Sequence, residues 1–281
     1  MASHPFRIVN VFTREGDPLS GNPLCVFENA ADFDTETMQA LARQFNLSET
    51  TFVLPSKMAA ARVRIFTPEY EMPFAGHPTL GTAHVCRSLG LGGNALQLET
   101  QAGVIPVDAR GNRWTLTAPA VTWRELSSPV SVLAEALGLQ RDDICERPLW
   151  VKAGREQLIV PLLSQDAVRR AVPQTAALRA LGNGEAVMAY VFAASGRDRT
   201  MARFFFPQGA LMLEDPATGS ATANFGGWCL AMRQPLPIHL EISQGDLIGR
   251  PATLYLDVAI DRQIRVGGDV ADIAAGRLTL R

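Results

Sequence analysis

The stretch Glu71-Met72-Pro73-Phe74-Ala75-Gly76-His77-Pro78-Thr79 recurs as Glu214-Asp215-Pro216-Ala217-Thr218-Gly219-Ser220-Ala221-Thr222. Glu71, Pro73, Gly76 and Thr79 each meet the same residue type 143 positions later. That offset also pairs Cys86 with Cys229, Gln101 with Gln244 and Ile105 with Ile248. Upstream, Arg64-Ile65-Phe66-Thr67-Pro68 resembles Arg203-Phe204-Phe205-Phe206-Pro207 once four extra residues are allowed in the second copy. An offset near half the length of a 281-residue chain marks two lobes of one ancestral design. The lobes are expected over residues 1–120 and 121–269, with the last strand, about 270–281, packing back on the first.

Each copy sets a glycine loop before an unusual helix. From His77 to Leu89 the single formal charge is Arg87, and from Ser220 to Met232 there is none. A helix apolar around most of its circumference is buried on all sides, so strands are expected to wrap around each one. Around them, β-branched and aromatic runs predict strands at Phe6–Phe12, Leu24–Phe27, Thr50–Leu54, Val63–Phe66, Leu96–Thr100, Val104–Val107 and Trp114–Thr117. Helical spacing of Met38, Leu41, Ala42 and Phe45 predicts a helix over Asp34–Phe45. Further helices are expected at Ser131–Leu137 and Thr175–Leu181, each stopped by a glycine. Many strands with few helices give an α+β class with two pseudo-symmetric lobes.

A buried helix still presents unsatisfied N–H groups at its start, where its dipole is positive, and a glycine there admits a ligand close to the backbone. Gly76-His77 and Gly219-Ser220 are therefore candidate anion sites, simplest if both helix starts face one cleft and hold a small carboxylate-bearing ligand. The alternative is that both loops only cap buried helices. The candidate titratable groups are Glu71 and His77 in the first copy and Glu214 and Asp215 in the second. Glu71 and Glu214 are equivalent, so structural and catalytic roles stay open for both. His77 faces Ser220 across the repeat, and Asp215 faces Met72; function should have diverged at these asymmetric positions. Glu49 stands apart on a loop between a helix and a strand, where it is either a local loop carboxylate or a site residue.

Other chemistries find little support. With 26 Lys plus Arg against 28 Asp plus Glu, a net charge of −2 lacks the basic footprint of a nucleic-acid partner. A content of 47% hydrophobic and 19% charged residues fits a folded core, and no run approaches a membrane span. The four cysteines show no close pairing and read as reduced thiols, and Met1–Arg14 turns polar too soon for a signal-peptide apolar region, so a cytoplasmic location is expected. His4, His77, His84 and His239 are scattered without metal-ligand spacing, and His84 reads as a core histidine. No GxGxxG follows a strand, so no dinucleotide site is expected, and Ser220 sits in TGSA rather than GxSxG, which gives a serine hydrolase little support.

Asn46-Leu47-Ser48-Glu49-Thr50, Ile65-Phe66-Thr67-Pro68 with Pro73-Phe74-Ala75-Gly76-His77-Pro78, and Glu214-Asp215-Pro216-Ala217-Thr218-Gly219-Ser220-Ala221 together resemble the PhzF (phenazine biosynthesis) family. The tail from Gln244-Gly245 to Arg250-Pro251 fits as well. The resemblance implies a diaminopimelate epimerase-like fold, each lobe a β-barrel-like wrap around a central helix, with the active site in the cleft between lobes. It implies a homodimer and a cofactor-independent isomerase akin to trans-2,3-dihydro-3-hydroxyanthranilate isomerase, acting on a small anionic substrate. By motif match Glu49 is the acid/base, His77 and Asp215 assist proton movement or hold ring substituents, and Gly76, Gly219 and Ser220 bind the substrate carboxylate. Racemases of the wider fold carry opposed cysteines at the starts of both central helices, whereas this chain has Ala75 and Thr218 there. Two-thiol racemisation is therefore disfavoured. A binding or regulatory protein that kept the fold without turnover is the alternative.

Overall fold

The computed structural model describes residues 3–280. Its first elements are β1 (Ser3–Thr13), β2 (Asn22–Phe27), α1 (Thr35–Phe45), β3 (Glu49–Leu54), β4 (Ala61–Phe66), β5 (Glu71–Met72), α2 (Gly76–Ser88), β6 (Ala95–Thr100), β7 (Gly103–Arg110) and β8 (Arg113–Thr117). There follow β9 (Thr122–Glu125), α3 (Val130–Ala136), β10 (Leu149–Ala153), β11 (Arg155–Pro161), α4 (Gln165–Arg170), α5 (Thr175–Leu181), β12 (Ala189–Ala194) and β13 (Arg199–Gln208). The last are β14 (Leu211–Asp215), α6 (Gly219–Ala231), β15 (Ile238–Gln244), β16 (Ala252–Val258) and β17 (Ile264–Thr279). Two compact units emerge: Ala118–Val266 is one, and the chain through Thr117 together with the stretch from Gly267 is the other. Among the described residues no helix is long and apolar enough to cross a membrane.

In the first unit β17 pairs with β1, β1 with β2, β3 with β4, β6 with β7 and β7 with β8, all antiparallel. The pairs β2–β3 and β4–β6 are parallel, and β8 returns to β17, closing a barrel of 8 strands. Parallel neighbours need a long crossover, and each here carries a helix. The first crossover holds α1, whose Asp34 carboxylate caps Thr37 N–H at 2.8 Å and whose chain leaves through a left-handed Asn46. Its apolar face, with Met38, Leu41 and Ala42, packs outside the barrel on a cluster with Phe27, Phe52 and Phe66. The second crossover holds α2, which touches β1, β2, β3, β4, β6 and β8 and is buried from His77 through Cys86. Strands crowd this helix: a Cβ on Gly81 would lie 2.7 Å from Leu24 and 2.9 Å from Val11.

The second unit repeats the plan. β9, β10 and β11 pair antiparallel, β11–β12 and β13–β15 are parallel, and β12–β13 and β15–β16 are antiparallel. The crossover between β11 and β12 carries α4 and α5, which pack with α3 on an outer cluster around Leu133, Val168 and Leu178. The crossover between β13 and β15 carries β14 and α6, which is buried from Ala221 through Leu230 and touches β9, β10, β11 and β16.

The 143-residue offset survives in three dimensions, because α2 over 76–88 maps onto α6 over 219–231 residue for residue. Both helices also end alike. Leu91 N–H reaches Cys86 C=O and Gly90 N–H reaches Arg87 C=O, while Gln234 N–H reaches Cys229 C=O and Arg233 N–H reaches Leu230 C=O. The left-handed residue of this stop is Gly90 (φ 75°) in one unit and Arg233 (φ 56°) in the other. One expected match fails: Ile105 lies on β7, but Ile248 lies in a 3-10 turn over Asp246–Ile248. The first unit joins β6 to β7 through a two-residue turn, whereas the second inserts Gly245–Pro251 between β15 and β16, so the register ends there.

A side chain in the left-handed region carries a steric cost that glycine avoids. Arg233→Gly is expected to raise the unfolding free energy by about 1 kcal/mol in urea titrations. Equal or lower stability would contradict the shared helix stop.

Candidate active site

In the first unit, the chain turns at left-handed Asn46 and enters β3 at Glu49, which lies beside Leu24 of β2 in parallel register. Glu49 is therefore a strand residue and not a loop residue as expected. Alternate strand residues share a face. Thr51, two residues on, meets Thr82 of α2 with hydroxyl oxygens 2.8 Å apart, so Glu49 also faces the buried helix. Its side chain is 15% exposed, and its Oε2 lies 3.4 Å from His77 Nδ1.

His77 is the second residue of α2 and is buried. Burial pushes its imidazole down to about 3, a shift only partly opposed by the Pro23 carbonyl that accepts a hydrogen bond from the ring. The ring is therefore neutral near pH 7, and the contact with Glu49 is a polar contact and not an ion pair. Gly76 opens the helix after Ala75, which supplies no side-chain cap. The Thr79 hydroxyl and amide both return to Ala75 C=O, leaving the earlier N–H groups of the first turn to other acceptors.

In the second unit, Asp215 closes β14 and Thr218 precedes α6. The Thr218 hydroxyl donates to Asp215 Oδ2 in place of capping the helix. Gln244, at the end of β15, spans this loop: its Nε2 donates to Asp215 C=O at 2.8 Å and to Thr218 Oγ1 at 3.1 Å. Gly219 is the first residue of α6, and Ser220 follows it with Oγ accepting from Gln157 Nε2 at 3.1 Å. Glu49, His77 and Gly76 thus gather within one unit, and Asp215, Gly219 and Ser220 within the other.

The remaining candidates take structural places. Arg64 grips Glu71 with two bonds of 2.7 and 2.6 Å, and Arg203 grips Glu214 at 2.7 Å in the equivalent hairpin. The four extra residues of the second copy lengthen that β13–β14 hairpin, which keeps Arg203 in register with Glu214. Arg203 also donates to the carbonyls of Val168, Arg169 and Ala171 at the end of α4. Cys86 and Cys229 are buried at equivalent positions, and burial pushes both thiols up to about 12. Such thiols are not nucleophiles or bases at neutral pH. His84 sits between Trp114 Nε1, which donates to its Nδ1 at 3.3 Å, and Asp272 Oδ2 at 3.1 Å, as a satisfied core histidine.

A family model described as phenazine biosynthesis-like protein matches residues 9–276. The chain belongs to the PhzF family. It is 37% identical to trans-2,3-dihydro-3-hydroxyanthranilate isomerase of Pseudomonas aeruginosa over 99% of this chain and 100% of that one. It is 35% identical to an uncharacterised isomerase of Pasteurella multocida, covering 99% of this chain and 95% of that one. A PhzF family protein of Bacillus anthracis superposes with a TM-score of 0.86 at 25% identity over the whole of both chains. The PhzF fold and an isomerase activity follow from these relationships.

Gln157, Asn224, Gln244 and Thr218 were not singled out as site residues by sequence. Gln244 recurs from Gln101, although Gln101 is exposed and Gln244 buried, and Thr218 holds the helix-start position compared with the racemase cysteines.

The neutral state of His77 has a measurable consequence. Its folded value lies below the unfolded 6.5, so the unfolded chain takes up a proton that the native state refuses. The stabilisation is whole above about pH 6.5 and is lost as pH falls toward 3, at up to about 1.4 kcal/mol per pH unit. Between pH 6.5 and 4.5, wild type should lose about 2–3 kcal/mol more than His77→Gln in denaturant unfolding. Identical pH dependence in the two proteins would show that the ring takes up its proton equally in both states.

Proposed function

We propose that this PhzF-family isomerase shifts a proton and a double bond on a small, carboxylate-bearing cyclic substrate, with Glu49 as the acid/base. The observation that carries this reading is a largely buried carboxyl group facing α2 and touching an uncharged imidazole at 3.4 Å. A cation at that distance would hold a carboxylate in its charged form, whereas a neutral ring leaves it able to take up a proton. One carboxylate that removes a proton from one carbon and returns it to another on the same ring face performs an isomerisation. It needs no second base on the opposite face.

The other assignments extend the same chemistry. His77 and Asp215 assist proton movement or hold ring substituents, while Gly76, Gly219 and Ser220 bind the substrate, chiefly its carboxylate. Support comes from the starts of α2 and α6, where neither Ala75 nor Thr218 caps the helix with its side chain. The 37% identity with an enzyme named for trans-2,3-dihydro-3-hydroxyanthranilate makes that compound the first substrate to assay. No cofactor enters this scheme, since the carboxyl group itself carries the proton.

Turnover of that substrate in D2O tests the reading. Wild type should give product, with deuterium at the receiving ring carbon in every turnover in which the Glu49 carboxyl exchanges its proton with solvent before returning it. Glu49→Gln, which keeps the shape and removes the base, should lower kcat by about 10²–10⁴-fold and abolish the exchange. Near-normal turnover by Glu49→Gln would refute the assignment. Saturable binding by wild type with no exchange across a range of cyclic carboxylates would favour a binding protein.

A further inference from the structure

Behind Ser220 lies a buried chain of amides whose hydrogen-bond direction is fixed at its far end. Gln157 on β11 is 1% exposed and Asn224 on α6 is fully buried. Asn224 Oδ1 accepts from Ala153 N–H at 2.6 Å, and Asn224 Nδ2 donates to Arg155 C=O at 3.0 Å. A backbone N–H only donates and a carbonyl only accepts, so these bonds settle which end of the Asn224 amide is oxygen. Asn224 Nδ2 also donates to Gln157 Oε1 at 2.7 Å. Gln157 must then present its own Nε2 to Ser220 Oγ, at 3.1 Å.

The consequence falls on the serine. Its oxygen is taken as an acceptor by Gln157, and among the described residues no side chain or carbonyl is found accepting its hydroxyl proton. Ser220 is left as a donor at the start of α6, where the first N–H groups of the helix are donors too. A site made of donors suits a group whose two oxygens both accept. A carboxamide of the same shape brings an NH2, for which Ser220 can offer only the second lone pair of an oxygen already accepting from Gln157. The first unit has no such relay, because the residues equivalent to Ser220 and Asn224 are His77 and Gly81.

We infer that Gln157 is a positioning residue which holds Ser220 as a hydrogen-bond donor and so gives the start of α6 its preference for a carboxylate over a carboxamide. The inference rests on the substrate-binding role proposed for Ser220 and adds the residue that sets its polarity.

The test compares binding of 3-hydroxyanthranilate and of its carboxamide by calorimetry in wild type, Gln157→Glu, Gln157→Met and Ser220→Ala. Gln157→Glu still accepts from Asn224 but loses the donor, and the introduced carboxyl draws the Ser220 proton toward itself as it ionises. The carboxylate preference of wild type should shrink by about tenfold in this variant, and further as pH rises. Gln157→Met should lose part of the preference without that pH dependence, and it carries the test if Gln157→Glu does not fold. Equal weakening of both ligands in the two variants would mark a structural role and overturn the inference. If Ser220→Ala loses the preference while both Gln157 variants keep it, the inference fails and the role of Ser220 stands. If wild type has no preference, or Ser220→Ala retains it, both fail together.

Discussion

A helix enclosed by strands is cut off from water along most of its length, and its first N–H groups, which the helix itself cannot pair, need acceptors from elsewhere. This constraint governs both units. The side chain before each helix fails to cap it, so the first N–H groups are kept for other acceptors. Burial also strips the charge from His77, the side chain closest to the start of α2 that could carry one. A neutral ring against Glu49 is thus a product of enclosure and not of a neighbouring charge.

Duplication explains what the units share, and divergence explains what they do. Both keep the Arg–Glu clamp across the hairpin before the buried helix, the same helix length and the same left-handed stop. They part at the helix start. Ala75, His77 and Met72 in one copy stand against Thr218, Ser220 and Asp215 in the other. The first copy places an uncharged imidazole beside a carboxyl group. The second links Asp215 to Thr218 and Gln244 and ties Ser220 to Gln157. The proposed polar chemistry of His77, Asp215 and Ser220 thus falls where the copies disagree, above a frame held by positions where they agree.

Much of this was legible in the sequence because it depends on local pattern. The run from His77 with its single charge and the uncharged run from Ser220 announced buried helices, and Asp34 and Gly182 marked helix ends where the structure has them. Strands such as β11 and β12 were harder to see. Leu158-Ile159-Val160 and Ala189-Tyr190-Val191 are buried on both faces, between α6 and the outer helices, so they lack the alternation that identifies a strand. Gln157 and Asn224 were invisible for another reason. A polar residue looks exposed in a sequence until its partners are known, and the partners here come from three separate elements. The match of Ile105 with Ile248 was a coincidence of type, lying just past the point where an inserted turn breaks the repeat.

The imidazole of His77 stays uncharged next to the carboxyl group proposed for proton transfer. Nitrogen-15 NMR of the His77 ring between about pH 5 and 8 observes this directly. One neutral tautomer with unchanging shifts across that range is the predicted result. A titration centred near the ordinary value of 6.5 would place a cation against Glu49 and contradict the account.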